Sequence, residues 1–331
     1  MKIVADSAIP FLRGVLEPFA EVRYLPGADI SAADVRDADA LVIRTRTRCG
    51  AALLESSRVR MIATATIGFD HIDTAWCAAH GIEVSTAAGC NARGVLQWVG
   101  AVLADLSRRQ GWQPVQRTLG IVGVGHVGSL GRRDAEGWGF RVLCCEPPRE
   151  ERERCGFLPL GEVAREADLI TFHTPLDATT RHLADAALLA RTKPRAVIIN
   201  SARGEVGDGE ALKASGREWV LDVGEHEPHI DRERLGKALL ATPHIAGYSE
   251  QGKANATALS VAALARRFGL PLAGWYPPQA AASSPRPIAW QELCDTIGGI
   301  YDIGAESRRL KAHPEDFEAL RDGYAYRREY F

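Results

Sequence analysis

The stretch "TLGIVGVGHVGS", residues 118 to 129, constrains the fold of this chain more than any other. A short apolar run leads into Gly123, and Gly125 and Gly128 complete a GxGxxG spacing. The first glycine permits a tight turn, the second lets backbone approach a pyrophosphate, and the third lets a helix close on the strand. The phosphates then lie at a helix N-terminus, where unpaired N–H groups and the helix dipole favour an anion. A lone GxGxxG is weak evidence, because glycine turns are common. Here a strand precedes it, and Glu146 ends the next apolar run, 18 residues beyond Gly128 (146 − 128). A carboxylate there can hold both hydroxyls of an adenosine ribose and repel a 2′-phosphate, which makes NAD the expected cofactor. Arg149 stands close enough to soften that repulsion. The following segment, "SLGRRDAEGWGF", carries Gly131 and Gly137. Each interior glycine costs about 1 kcal/mol relative to alanine, so a short or frayed helix is expected.

The remainder alternates short apolar runs with helical patterns, the signature of parallel sheets covered on both faces. In the first ninety residues "KIVAD", "EVRYL", "ALVIRT", "MIATAT" and "IEVSTA" read as strands, with "FLRGVLEPFA" and "AWCAAHG" as helices between them. A long amphipathic helix is expected from Ala92 to Arg109. Beyond the glycine turn, "FRVLCCEPP", "ADLITFHTP", "AVIINSARG", "EWVLDVGEHEP" and "LLATPHIAG" continue a second series. The helix "KANATALSVAALARRFG" would return the chain to the first domain. The expected division is 1–92 with 250–275 for a discontinuous substrate domain and 93–249 for the cofactor domain. A Pro-, Ala- and Ser-rich linker at 276–290 and a small α-rich region at 291–331 would follow.

The class of molecule is bounded by composition. Forty Lys and Arg against 42 Asp and Glu give a formal charge of −2, which argues against nucleic acid or a membrane surface as partner. No apolar stretch approaches the roughly 18 residues of a membrane span, and "MKIVADSAIP" reads as a first strand. The seven cysteines are odd in number and form no CxxC pair, as expected of free thiols in a reducing cytoplasm. No metal site is read from the sequence.

Three residues suggest chemistry. Arg203, Glu227 and His244 each follow an apparent strand of the second series, and ligands bind at the carboxyl ends of such strands. Arg203 offers a planar fork for a carboxylate. His244 can exchange a proton with a hydroxyl or carbonyl near neutral pH. Glu227 would favour the protonated ring and fix its orientation. Taken singly, a surface arginine, a loop glutamate and a strand-end histidine are ordinary. Three at strand ends downstream of a dinucleotide loop are a poor coincidence.

Together these residues resemble the D-2-hydroxyacid dehydrogenases. That family has a glycine fingerprint, an Arg-Gly after a strand, a Glu-Pro after "DV", and a histidine before a small-residue turn. "TATIGFDHID", "GCNARGV", "GIVGVGHVGS", "CEPPR", "TFHTPL" and "HIAGYSEQGK" are most similar to a branch acting on a phosphorylated four-carbon 2-hydroxy acid. The resemblance implies a flavodoxin-like substrate domain and a Rossmann NAD domain. It implies substrate contacts from Thr45, Thr66 and Tyr248. It places Gly123, Gly125, Gly128, Glu146, Thr174, Ser201, Ala202, Arg203, Asp222 and Gly247 around NAD. His244 would be the acid/base, Glu227 its partner, and Arg203 the anchor for the substrate carboxylate and carbonyl. "FEALRDGYAYRRE" resembles a C-terminal dimerisation region, here shortened, so a homodimer is expected. Glu146 stands where the family has aspartate, Thr45 replaces a serine, and Gly224 replaces a tryptophan. Arg44, Arg46 and Arg48 alternate, and as a strand would share one face; a phosphate clamp and a solvated strand end fit them equally. Two other functions stay open at this point: a different D-2-hydroxy acid as substrate, such as a phosphoglycerate, or a non-catalytic NAD-binding sensor.

Overall fold

A computed structural model describes every residue except Cys155, Ala282 and Ser283. The expected linker partly falls on those residues, and the reading of Cys155 as a free thiol lies outside the described ones. Cys49, Cys77, Cys144, Cys145 and Cys294 are free thiols. Among the described residues, no helix is long and apolar enough to cross a membrane. The chain divides into two compact units, Met1–Asn91 with Ser249–Ser283, and Ala92–Tyr248 with Ser284–Phe331.

The first unit is built on five parallel strands: β1 (Lys2–Asp6), β2 (Glu21–Leu25), β3 (Ala40–Ile43), β4 (Met61–Thr64) and β5 (Glu83–Thr86). Their order, β2-β1-β3-β4-β5, is the flavodoxin-like one. Because strand side chains alternate, the central strands feed two cores. Val4, Leu41, Ile43 and Ile62 pack with Leu53, Leu54 and Cys77 on one face. Ile3, Ala5, Val42, Met61 and Ala63 pack with Val261 and Leu264 of the Glu250–Phe268 helix on the other. The "FLRGVLEPFA" helix does not form; residues 11–20 run through turns. Phe11 at φ +63° and Gly14 at φ +84° are left-handed, which a right-handed helix excludes. Leu12 and Leu16, whose spacing suggested a helix, are buried all the same.

The second unit has six parallel strands: β6 (Thr118–Val122), β7 (Arg141–Cys145), β8 (Leu169–Phe172), β9 (Val197–Asn200), β10 (Glu218–Leu221) and β11 (Leu240–Ala241). They are ordered β11-β10-β9-β8-β6-β7. A six-stranded Rossmann sheet carries one more strand beyond its second. Here the outer edge of β7 receives one backbone bond, Leu158 N to Cys144 O at 2.7 Å. Adjacent Cys144 and Cys145 point into opposite cores, as strand geometry requires. On the Cys144 side lie the Ala92–Gln110 and His126–Trp138 helices. The same core takes in Trp290, Leu293 and Ile297 of the Trp290–Ile300 helix and the terminal Phe331. On the Cys145 side Leu310 and Phe317 join Val163, Leu188 and Leu212. Residues 284–331 are therefore part of this unit's two cores.

Candidate active site

Apart from Gly128, which lies in the first turn of the His126–Trp138 helix, the cofactor and catalytic positions assigned to the second unit lie in loops beyond the carboxyl ends of strands. Gly123, Glu146 and Thr174 follow β6, β7 and β8; Ser201–Arg203, Asp222 and His244 follow β9, β10 and β11. The strand order reverses beside β6, which is where an open parallel sheet leaves a crevice.

The glycine turn is shaped by close packing. Gly123 has φ +91°, and a Cβ there would meet the His173 carbonyl at 2.7 Å and Thr174 N at 2.9 Å. A Cβ on Gly128 would lie 2.0 Å from Gly123 O, so the helix rests directly on the turn. Gly125, the helix N-cap, has nothing within 4 Å of its Cβ position and leaves the approach to the helix end open. Glu146 Oε2 accepts from Val124 N at 2.6 Å, which fixes the carboxylate beside the turn. Arg149 is committed elsewhere: its guanidinium pairs with Glu153 at 2.7 and 2.9 Å and donates to Val124 O.

Two buried hydroxyl oxygens on this edge, Thr174 Oγ1 and Ser201 Oγ, have no hydrogen-bond partner among the described residues. Buried polar atoms are nearly always satisfied. Orphans at two positions independently assigned to NAD fit a ligand that supplies the missing partners. The turn that presents Ser201 is set by Asn200, whose Oδ1 accepts from Ala202 N and whose Nδ2 donates to Arg203 O.

His244 and Glu227 form a pair. His244 Nδ1 lies 2.7 Å from Glu227 Oε2, and Glu227 Oε1 accepts from Gly224 N at 2.8 Å. Burial pushes the Glu227 carboxyl up, but the charge and hydrogen bond of His244 and the Gly224 N–H outweigh it and hold it below the usual range. With Nδ1 occupied, Nε2 is the nitrogen left for a reacting group. His244 itself has φ +57°, a conformation costly for a side chain of this kind. Asp222 holds it there. The Asp222 carbonyl accepts from His244 N at 2.7 Å, and its carboxylate accepts from Ile245 N, Ala246 N and the Thr242 hydroxyl. Trp98 Nε1 donates to that same hydroxyl. Burial raises the Asp222 carboxyl. Gly247 lies in the next turn, closed by Tyr248 N on Ile245 O.

Gly224, which stands where the family has a tryptophan, is closely packed. A Cβ on it would come within 2.9 Å of Ile230 Cγ2, and a Cβ on Gly204 would lie 2.1 Å from the Gly224 carbonyl carbon. The Arg203 and Glu227 loops thus touch backbone to backbone.

In the first unit, the Thr66 hydroxyl pairs with Thr64 at 2.6 Å and donates to Gly68 O at 3.0 Å. Thr45 is exposed in a turn. The arginine alternation is not a strand face: β3 stops at Ile43 and residues 44–48 turn. Arg44 is tied to the buried Asp6 at 3.1 Å.

Two arginines from the last fifteen residues were not found from sequence. Arg327, 6 % exposed, donates to the carbonyls of Gly94, Ile245 and Ala246, and its guanidinium lies 4.5 Å above the Tyr301 ring. Ile245 and Ala246 are thus held by Asp222 at their N–H groups and by Arg327 at their carbonyls. Arg321 Nε donates to Tyr248 Oη at 3.1 Å. Nothing local marks either residue, since "LRDGYAYRRE" has the composition of a solvated end.

Comparison with known proteins supplies the family. Residues 94–246 match the model of the D-isomer specific 2-hydroxyacid dehydrogenase NAD binding domain. Erythronate-4-phosphate dehydrogenase of Bacteroides fragilis is 46% identical, covering 99% of this chain and 97% of its own. The Ectopseudomonas mendocina enzyme of that name is 43% identical over 99% and 93%. Among solved structures, NAD-bound 3-phosphoglycerate dehydrogenase of Entamoeba histolytica superposes with a TM-score of 0.69 at 24% identity, over 82% of this chain and 97% of that one. The likeness to that structure concerns the fold. With near-half identity along essentially its full length, the chain belongs to the erythronate-4-phosphate dehydrogenase family, within the D-isomer specific 2-hydroxyacid dehydrogenases.

Proposed function

We propose that this chain oxidises 4-phospho-D-erythronate at C2, with NAD, to 3-hydroxy-2-oxo-4-phosphobutanoate, a step of vitamin B6 (pyridoxal phosphate) biosynthesis. The observation that carries the chemistry is the His244–Glu227 pair, 2.7 Å apart, on the same sheet edge as the glycine turn. NAD, when bound, supplies the acceptor for the hydrogen and electron pair leaving C2. His244 Nε2 takes the C2 hydroxyl proton as the C–O bond becomes a carbonyl. Glu227 holds Nδ1, so the ring keeps one orientation and its new positive charge has a carboxylate beside it. Arg203 anchors the substrate carboxylate and carbonyl, with Thr45, Thr66 and Tyr248 as further substrate contacts. Gly123, Gly125, Gly128, Glu146, Thr174, Ser201, Ala202, Arg203, Asp222 and Gly247 line the cofactor. The four-carbon phosphate as substrate rests on the named relatives.

The test is an initial-rate assay with NAD and 4-phospho-D-erythronate, run beside D-3-phosphoglycerate and D-glycerate with trapping of the oxo acid. A clear preference for the four-carbon phosphate is expected. Faster turnover of either other acid would reassign the substrate. NAD binding without turnover of any would favour a sensor. His244→Asn should lower kcat by roughly 10²- to 10⁴-fold while NAD still binds.

The reading includes a homodimer and a cytoplasmic setting. The first is supported by the resemblance of residues 317–329 to a dimerisation region, the second by the free thiols of Cys49, Cys77, Cys144, Cys145 and Cys294. Light scattering at micromolar concentration would return the monomer mass if the dimer assignment is wrong.

A further inference from the structure

A charged group withdrawn from water is normally paired. Several buried or half-buried arginines of the second unit follow that rule. Arg234 pairs with Glu225 at 2.7 Å and Arg149 with Glu153, while both terminal nitrogens of Arg327 donate to carbonyls, and one also to the Tyr324 hydroxyl. Arg321, beside the His244 loop, has no such set of acceptors. It stands on the short Phe317–Asp322 helix, half-buried, and its one protein partner among the described residues is the neutral Tyr248 hydroxyl, met by Nε. No described carboxylate lies within ion-pair distance, and neither terminal nitrogen has a protein acceptor among the described residues. The carboxylates whose fields reach it, Glu227 and Asp222, are already occupied by His244 and by backbone N–H groups. The terminal N–H donors of Arg321 thus remain without a protein acceptor among the described residues, beside a tyrosine that follows the His244 loop.

We propose that Arg321, with Tyr248, binds the phosphate of the substrate and sets the preference for a phosphorylated acid. The assignment rests on the function proposed above. Of the substrate's two anionic ends, the C1 carboxylate must stay beside C2, whose hydroxyl meets His244 Nε2. The phosphate on C4 reaches further. Arg321 meets that requirement, since it is hydrogen-bonded to neither His244 nor Glu227 and touches the site through Tyr248, four residues beyond His244. A phosphate also carries nearly twice the charge of a carboxylate, which an otherwise uncompensated guanidinium can use.

The experiment compares wild type, Arg321→Gln and Arg321→Lys with 4-phospho-D-erythronate and with unphosphorylated D-erythronate, and measures inhibition by inorganic phosphate. The ratio of kcat/KM between the two acids should fall roughly 10- to 100-fold in Arg321→Gln, the scale of one lost charge-assisted pair, chiefly through KM. Phosphate inhibition should weaken in parallel, and Arg321→Lys, a charge without the fork, should fall between. An equal loss for both acids would overturn the proposal and make Arg321 a support for Tyr248 or a carboxylate ligand. So would an unchanged ratio. If wild type turns over neither acid, the functional reading fails first. Calorimetric binding of inorganic phosphate to wild type and Arg321→Gln then decides Arg321, and equal affinities reject the assignment. Thermal melts of each variant separate a binding loss from misfolding.

Discussion

At the scale of single residues, the site is marked by departures from what a stable fold would choose. His244 has a left-handed backbone, and Thr174 and Ser201 bury hydroxyl oxygens without partners among the described residues. Neither departure stabilises the protein alone. An unsatisfied buried polar atom costs on the order of 1–3 kcal/mol, so removing it relieves a penalty. Ser201→Ala should therefore leave the cofactor-free protein as stable as wild type or raise its melting temperature, while NAD binds several-fold more weakly. Melts without cofactor and an NAD titration measure the two effects. A drop in stability without NAD would show that the hydroxyl is satisfied by the protein or by water. What was legible at this scale was chemical type: an acid/base histidine and a carboxylate at strand ends announce themselves. Arg321 and Arg327 did not, because their meaning lies in contacts with Tyr248, Gly94, Ile245 and Ala246, far away in sequence.

At the scale of elements, periodicity served well where strands are buried on both faces and poorly in the turns. All five strands expected in the first ninety residues form. The "FLRGVLEPFA" segment shows the helical spacing but not the helix, because two left-handed residues interrupt it and its apolar side chains reach the core from turns. The reverse holds for the helix after the glycine turn. It runs unbroken from His126 to Trp138 through Gly131 and Gly137. A Cβ on Gly137 would meet nothing within 4 Å, whereas one on Gly128 would collide with Gly123 O. Glycine therefore costs propensity at one position and is required at the other. Gly137→Ala should stabilise the protein by up to about 1 kcal/mol, and Gly128→Ala should abolish NAD binding. Denaturant titration of the first and a cofactor titration of the second check the pair. An unchanged stability would mean that the helix frays there after all, and a loss that the added methyl meets a contact.

At the scale of the molecule, the C-terminal stretch matters most for the second unit. Sequence composition set it apart as an α-rich end, since no local signal says which core a short amphipathic helix will join. In the structure Phe331, 1 % exposed, sits edge-on to Trp138 and Tyr330, and its Cζ lies 3.2 Å from the Cβ position of Gly100. Leu310 and Phe317 fill the opposite core, and Arg327 reaches the loop after His244. Cofactor turn, catalytic loop and C-terminal stretch should then unfold together, and a loss at one end should be offset by a ligand at the other. Phe331→Ala removes a buried ring and should cost about 3–5 kcal/mol, a shift on the order of 10 °C for a unit of this size. NAD at a hundredfold its Kd adds about 2.7 kcal/mol to whatever folded state binds it. Saturating NAD should therefore restore more than half of the loss, with the second unit melting in one transition throughout. Two resolved transitions in calorimetry, of which NAD moves only one while Phe331→Ala moves only the other, would show instead that the C-terminal stretch is thermodynamically separate from the cofactor fold it covers.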